Sequence, residues 1–210
     1  MLASAVHGVD ADIRALADDF GAQGFIAAAP DLFWRSIAGP LPHGDHRAAQ
    51  RSQPRLQCLT AGESDMTDTL AYLRTIGGFN GQAMAMGFCY GGPYAILGPK
   101  RLGYAAGISC HGTQMLDFAE ELEGVDRPVC VIWGDRDHLA PVEVVEAYRG
   151  LSSTMSNLEV RIVAGAFHGF MMRSRAIKDP EQYLPNPAGV DDQGEAVIVD
   201  PSALPGPGDT

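Results

Sequence analysis

Ala83-Met84-Ala85-Met86-Gly87-Phe88-Cys89-Tyr90-Gly91-Gly92-Pro93 is the stretch on which the fold turns. Its first four residues read as a short buried strand. Pro93 opens a helix, at a position where its missing N–H costs nothing. Between strand and helix, Gly87 and Gly91 stand two residues to either side of Cys89. That spacing suits a tight, strained strand-to-helix turn, in which a side chain at either flank would clash. Such a turn aims its central side chain at the N-terminus of the next helix. The dipole and unpaired N–H groups there favour thiolate over thiol. Cys89 is therefore a candidate nucleophile, and the Tyr90 N–H is set to receive an oxyanion.

Working outward, strand-like and helix-like segments alternate. Asp10 caps a helix whose apolar positions Ile13, Leu16, Ala17 and Phe20 follow one helical face, closed by Gly24. Residues 25–29 read as a short strand ended by Pro30-Asp31. Residues 36–62, rich in Gly, Pro, Gln and His, read as a long surface connection with one helical turn or two. Ser64 is expected to cap a helix with Met66, Leu70, Leu73 and Ile76 inward. Strands follow at 104–110, 128–133 and 158–163, with a helix from Pro141 to about Gly150. Apolar strands alternating with helices predict an α/β fold, a parallel sheet covered on both faces.

A thiol nucleophile needs a base for its proton, and the base needs a carboxylate to orient it. Val131-Ile132-Trp133-Gly134-Asp135-Arg136-Asp137-His138 sets two acids just past a strand. Ala164-Gly165-Ala166-Phe167-His168-Gly169-Phe170 sets a histidine just past the next. The order Cys89, Asp137, His168 is that of nucleophile, acid and base in hydrolases built on such a sheet. Each residue falls at the carboxyl end of its strand, where open α/β sheets hold their ligands.

On Gly87–Gly92, on Gly134-x-x-Asp137-His138 followed by Pro141, and on His168-Gly169-Phe170, the chain resembles the dienelactone hydrolase (carboxymethylenebutenolidase) family of α/β hydrolases. Pro30-Asp31-Leu32-Phe33 and Gly8-Val9 with Ile13-Arg14 add to the likeness, which spans roughly residues 4–173. The resemblance implies an α/β-hydrolase fold with a mostly parallel sheet. It implies hydrolysis of lactone or ester bonds of small molecules without metal or organic cofactor. Cys89 is then the nucleophile, His168 the base and Asp137 its orienter, with Asp135 as the alternative acid. The Tyr90 and Val6 N–H groups would form the oxyanion hole. The family binds a substrate carboxylate with arginine, which points to Arg51, in the series Arg47, Arg51 and Arg55, and to Arg173. His7 and His111, near strand ends, are further candidates for the pocket wall, whereas His43 and His46 read as solvated.

Three departures stand beside the likeness. Ala5 falls where the family has a glutamate close to the resting thiol. Two or three leading strands of the family are missing ahead of the site. An acidic, proline-rich stretch replaces the closing helix. The same residues leave two other readings open: a non-catalytic or degenerate remnant of the fold, and a broad acyl esterase or thioesterase.

Of the 210 residues, 15 are Lys or Arg and 26 Asp or Glu, for a net charge of −11. Seven of the acids, and no basic residue, lie in 179–210, so the chain divides into a hydrolase domain over 1–178 and an acidic Pro/Gly-rich tail over 179–210. The tail's one strand-like run is Ala196–Val199. This charge gives no basic face for nucleic acid and no attraction to an anionic membrane. The apolar runs are too short to span a bilayer, and the start lacks a signal-peptide pattern. Four cysteines without a C-x-x-C pair read as free thiols, with Cys110 and Cys130 as small buried hydrophobes. A cytoplasmic location follows from these signs, and the oligomeric state does not follow at all.

Overall fold

The computed structural model describes residues 1–172; Arg173, the acidic stretch and its strand at 196–199 lie outside them. Five parallel strands stand side by side in chain order: β1 (Leu2–Ala3), β2 (Met84–Phe88), β3 (Ala106–Cys110), β4 (Val129–Gly134) and β5 (Leu158–Val163). Five α-helices accompany them: α1 (Ala11–Ala22), α2 (Arg47–Gln50), α3 (Arg55–Leu73), α4 (Gly92–Leu97) and α5 (Val142–Ser152). The parallel α/β architecture is the expected one.

Period-two alternation sorts the strand side chains onto two faces. Met86 and Phe88 of β2 and Cys110 of β3 point to one face, where they pack with Leu2 and with Ile13 of α1. α1 is held there by the Asp10 carboxylate, which accepts from the Asp12 and Ile13 N–H groups at 3.1 and 3.0 Å. Ala3 and Ala85 point to the opposite face, onto Leu59, Met66, Leu70 and Leu73 of α3 and Tyr94 of α4. Val129, Val131 and Trp133 of β4 continue that face onto Val144 and Tyr148 of α5. Trp133 is fully buried, its ring edge-on to Tyr148, and its indole N–H donates to the Gly112 carbonyl at 3.0 Å.

Two expectations fail. Residues 25–29 form no strand: the Ala28 carbonyl accepts one hydrogen bond from Leu2, and Phe25 is 61% exposed. A two-residue β1 offers too short a ladder for a further strand to propagate along it. The helix expected from Ser64 begins instead at Arg55 and ends at Leu73. Its buried stripe runs back through Gly62 and Leu59, where a glycine interrupts the apolar pattern. That glycine sits against Tyr94: a Cβ there would come within 1.9 Å of the phenol oxygen. The stretch 36–62 is accordingly less of a loop than its composition predicts.

Candidate active site

β2 ends at Phe88, and the next residue, Cys89, takes φ +51°, a left-handed conformation rare outside glycine. The turn has room only for glycine at its flanks. A Cβ on Gly87 would lie 2.0 Å from the Gly91 carbonyl oxygen, and one on Gly91 would lie 2.1 Å from that of Ala3. All these obstacles are backbone, so no side-chain rotation relieves them. α4 begins at once, with Pro93 in its first turn as expected.

The other candidates arrive from the carboxyl ends of neighbouring strands. β4 delivers Asp135 and Asp137, and β5 delivers His168. His168 Nδ1 lies 3.0 Å from both Asp137 oxygens, and the Asp137 side chain is fully buried. One of those oxygens also accepts the Leu139 N–H at 2.9 Å, which fixes the carboxylate. Asp135 is exposed and accepts the Gly165 N–H at 2.7 Å. It therefore holds the loop that carries His168, whereas Asp137 meets the ring itself.

Cys89 and His168 interact directly. Burial alone would push the thiol up, but the His168 charge and hydrogen bond, the Tyr90 N–H and the Arg55 charge outweigh it, and the thiol sits below its ordinary value. Burial would likewise pull the imidazole down, yet the sulfur and the Asp137 carboxylate raise it far above the usual range. The two shifts are coupled, each group being a main cause of the shift of the other. His111, the first residue past β3, sets its ring edge-on to His168 at 4.8 Å between centroids, in an almost fully buried position.

Of the oxyanion candidates, the Tyr90 N–H faces the sulfur, and Val6 follows β1 at the same end of the sheet. Arg51 meets the site through Val6. Its Nε donates to the Val6 carbonyl at 2.8 Å, while Nη1 donates to those of Ile37 and Gly39 at 2.9 and 2.6 Å. Buried over the Phe33 ring, it spends these donors on the backbone of a loop. Arg55, four residues on, reaches the elbow: its Nη2 donates to the Tyr90 carbonyl at 3.0 Å. The four-residue recurrence of Arg47, Arg51 and Arg55 is not one helical face, because α2 ends at Gln50 and Pro54 precedes α3. The two histidines expected to be solvated, His43 and His46, are both exposed. His43 also sets its ring against His7 at 4.1 Å between centroids, tilted by 60°, and lies 3.8 Å from Asp10.

Comparison with known proteins gives the family and the fold. The model of the dienelactone hydrolase family matches residues 1–189. Carboxymethylenebutenolidase of Pseudomonas putida is 26% identical over 144 residues, which are 67% of this chain and 61% of that protein. Hydrolase pyvD of Aspergillus violaceofuscus is 28% identical over 165 residues, 76% of this chain and 64% of its own. The chain thus spans less than two thirds of the length of these relatives. The crystal structure of a dienelactone hydrolase-like promiscuous phosphotriesterase from metagenomic libraries shares the fold with a TM-score of 0.65 at 18% identity, over 95% of this chain and 77% of that one. Sheet, elbow and a family match over most of its length make this chain a member of the dienelactone hydrolase family.

Proposed function

We propose that the chain hydrolyses lactone or ester bonds of small molecules through Cys89, His168 and Asp137. The observation that carries this reading is the single line of contacts from a buried carboxylate, through an imidazole it holds at 3.0 Å, to a cysteine on a strained turn. The Cys89 thiolate attacks the carbonyl carbon, a C–S bond forms, and the carbonyl π electrons move onto oxygen. The Tyr90 N–H, with that of Val6 from the facing strand end, stabilises this oxyanion. Collapse breaks the acyl C–O bond as the His168 imidazolium protonates the departing alkoxide, which in a lactone stays tethered to the acyl group. His168 then takes a proton from water, which attacks the thioester. Expulsion of the thiolate releases the carboxylic acid and restores the ion pair. Asp137 keeps the ring oriented and stabilises its positive charge throughout.

No metal or organic cofactor enters these steps, and the partner is a small ester or lactone. Among the described residues, no helix is long and apolar enough to cross a membrane. The test is turnover of a dienelactone and of p-nitrophenyl acetate by the chain, by Cys89→Ala and by His168→Ala. Turnover by the wild-type chain and its loss in both variants is expected. Equal rates in all three would overturn the mechanism, and an inactive wild type with an inert Cys89 would leave a non-catalytic member of the fold.

A further inference from the structure

We propose that Arg55 is a positioning residue for the Cys89 nucleophile, clamping the strained elbow to the loop after β3 and setting a fixed cation at the turn. This rests on the reading of Cys89 as the nucleophile. Arg55 opens α3, and its Nη2 donates to the Tyr90 carbonyl at 3.0 Å and, more weakly, to that of Thr113 at 3.4 Å. The Thr113 N–H in turn donates to the Cys89 carbonyl at 3.1 Å. Arginine, elbow and loop therefore close a ring around the one residue whose backbone is held at φ +51°. The guanidinium carbon also sits 4.0 Å above the Tyr90 ring, which fixes its plane.

The charge is the unusual part. Arg35 has Asp65, Arg47 has Asp45, and Arg101 has Glu63 and Glu121. Arg51 and Arg55 pair with no carboxylate among the described residues, and each has a buried nitrogen without a hydrogen-bond partner. Asp31 and Asp45 face Arg51, however, and no carboxylate is among the groups facing Arg55. A guanidinium drawn out of water without an anion is costly, so some anion in its surroundings must offset it. The titratable groups facing it are Tyr90, Cys89, Tyr94 and Cys58. Burial pushes the Tyr90 phenol up to about 12 and Tyr94 higher still, so both stay neutral. Cys58 donates its S–H to the Arg51 carbonyl. The anion left for Arg55 is the Cys89 thiolate, formed when His168 takes the proton.

The experiment follows iodoacetamide alkylation of Cys89 against pH, read on the Cys89 peptide by mass spectrometry, in the full chain and in R55Q, R55K and H168A. R55Q is expected to raise the alkylation midpoint by about one pH unit, an alkylation roughly tenfold slower below both midpoints. R55K keeps the charge and is expected within about half a unit of wild type. On a neutral aryl ester, R55Q is expected to lower kcat and leave KM unchanged, because Arg55 does not touch the substrate.

A raised midpoint in H168A with none in R55Q would overturn the role of Arg55 and leave the triad standing. So would an R55Q effect confined to KM of carboxylate-bearing esters, which would make Arg55 a substrate-binding group. No shift in H168A would instead overturn the reading of Cys89 itself. Should R55Q fail to fold by circular dichroism, R55M takes its place: a wild-type midpoint there refutes the proposal, and a midpoint raised toward that of H168A upholds it.

Discussion

β2 and β3 are neighbouring five-residue strands, each leading into a turn with a left-handed residue, and each carries a cysteine at that end. Phe88 and Cys110 face each other across the ladder, so the residue opposite the step taken by Cys89 is His111, at φ +41°. Cys110 is the last residue still in the pleat. It is wholly buried among Leu2, Met86 and Phe88, and burial, with Cys130 adding to it, pushes its thiol up to about 12. Cys89 is one residue past the pleat, where a helix begins and an imidazole faces it. A single residue of register separates a small hydrophobe from the proposed nucleophile. Strand pairing and turn geometry, more than the sulfur itself, set the chemistry of each thiol.

The contrast is broken first at the sulfurs. Cys89→Ala is expected to lower kcat by about a thousandfold or more, and Cys110→Ala by no more than about twofold. Comparable losses in steady-state assays would dissolve the distinction. Alkylation rates sharpen it next. The lowered Cys89 value keeps thiolate present as pH falls below the ordinary thiol range, whereas the raised Cys110 value keeps that group protonated until pH approaches about 12. At pH 7, iodoacetamide should label Cys89 more than about a hundredfold faster than Cys110.

The turns themselves come third. Gly87→Ala drives a methyl into the Gly91 carbonyl and should cost about 2–4 kcal/mol in urea denaturation. Gly112→Ala, after β3, meets mainly side-chain atoms of Ser109 and Met115 beside the Gly92 turn, and should cost about half as much. Smallest is the packing loss in Cys110→Ala, about 1 kcal/mol by the same measurement.

The parts of this molecule legible in the sequence are those dictated by local sterics. Gly87 and Gly91 announce the elbow because backbone atoms occupy the space where their side chains would be. β3 and β4 were predictable to within two residues from apolar runs, and β5 from an alternating run whose Glu159 and Arg161 are exposed. Asp137, with Asp135 as the alternative, and His168 were named as candidates from their order after those strands. The path of the loop brings Asp137 to the ring and Asp135 to the Gly165 N–H. What escaped depends on distant contacts. The first turns of α3 are hidden because Gly62 stands where Tyr94 packs. Residues 25–29 are apolar like a strand yet find only one partner bond at the edge of the sheet. Arg51 and Arg55 share a residue type and a helical spacing, and only the break at Pro54 sends one to a loop and the other to the elbow.

The strictly sequential order of the strands has a consequence for how the protein comes into being on the ribosome. The elbow is synthesised well before β5, so a nascent chain holds Cys89 without His168. In that interval the thiol lacks the imidazole whose charge and hydrogen bond help to lower it in the folded chain. That imidazole arrives only when β5 pairs with β4 and brings the histidine loop to the end of the sheet. On the proposed mechanism, the last of the described strands is thus also a safety catch, keeping the sulfur quiet until the chain that carries it has folded.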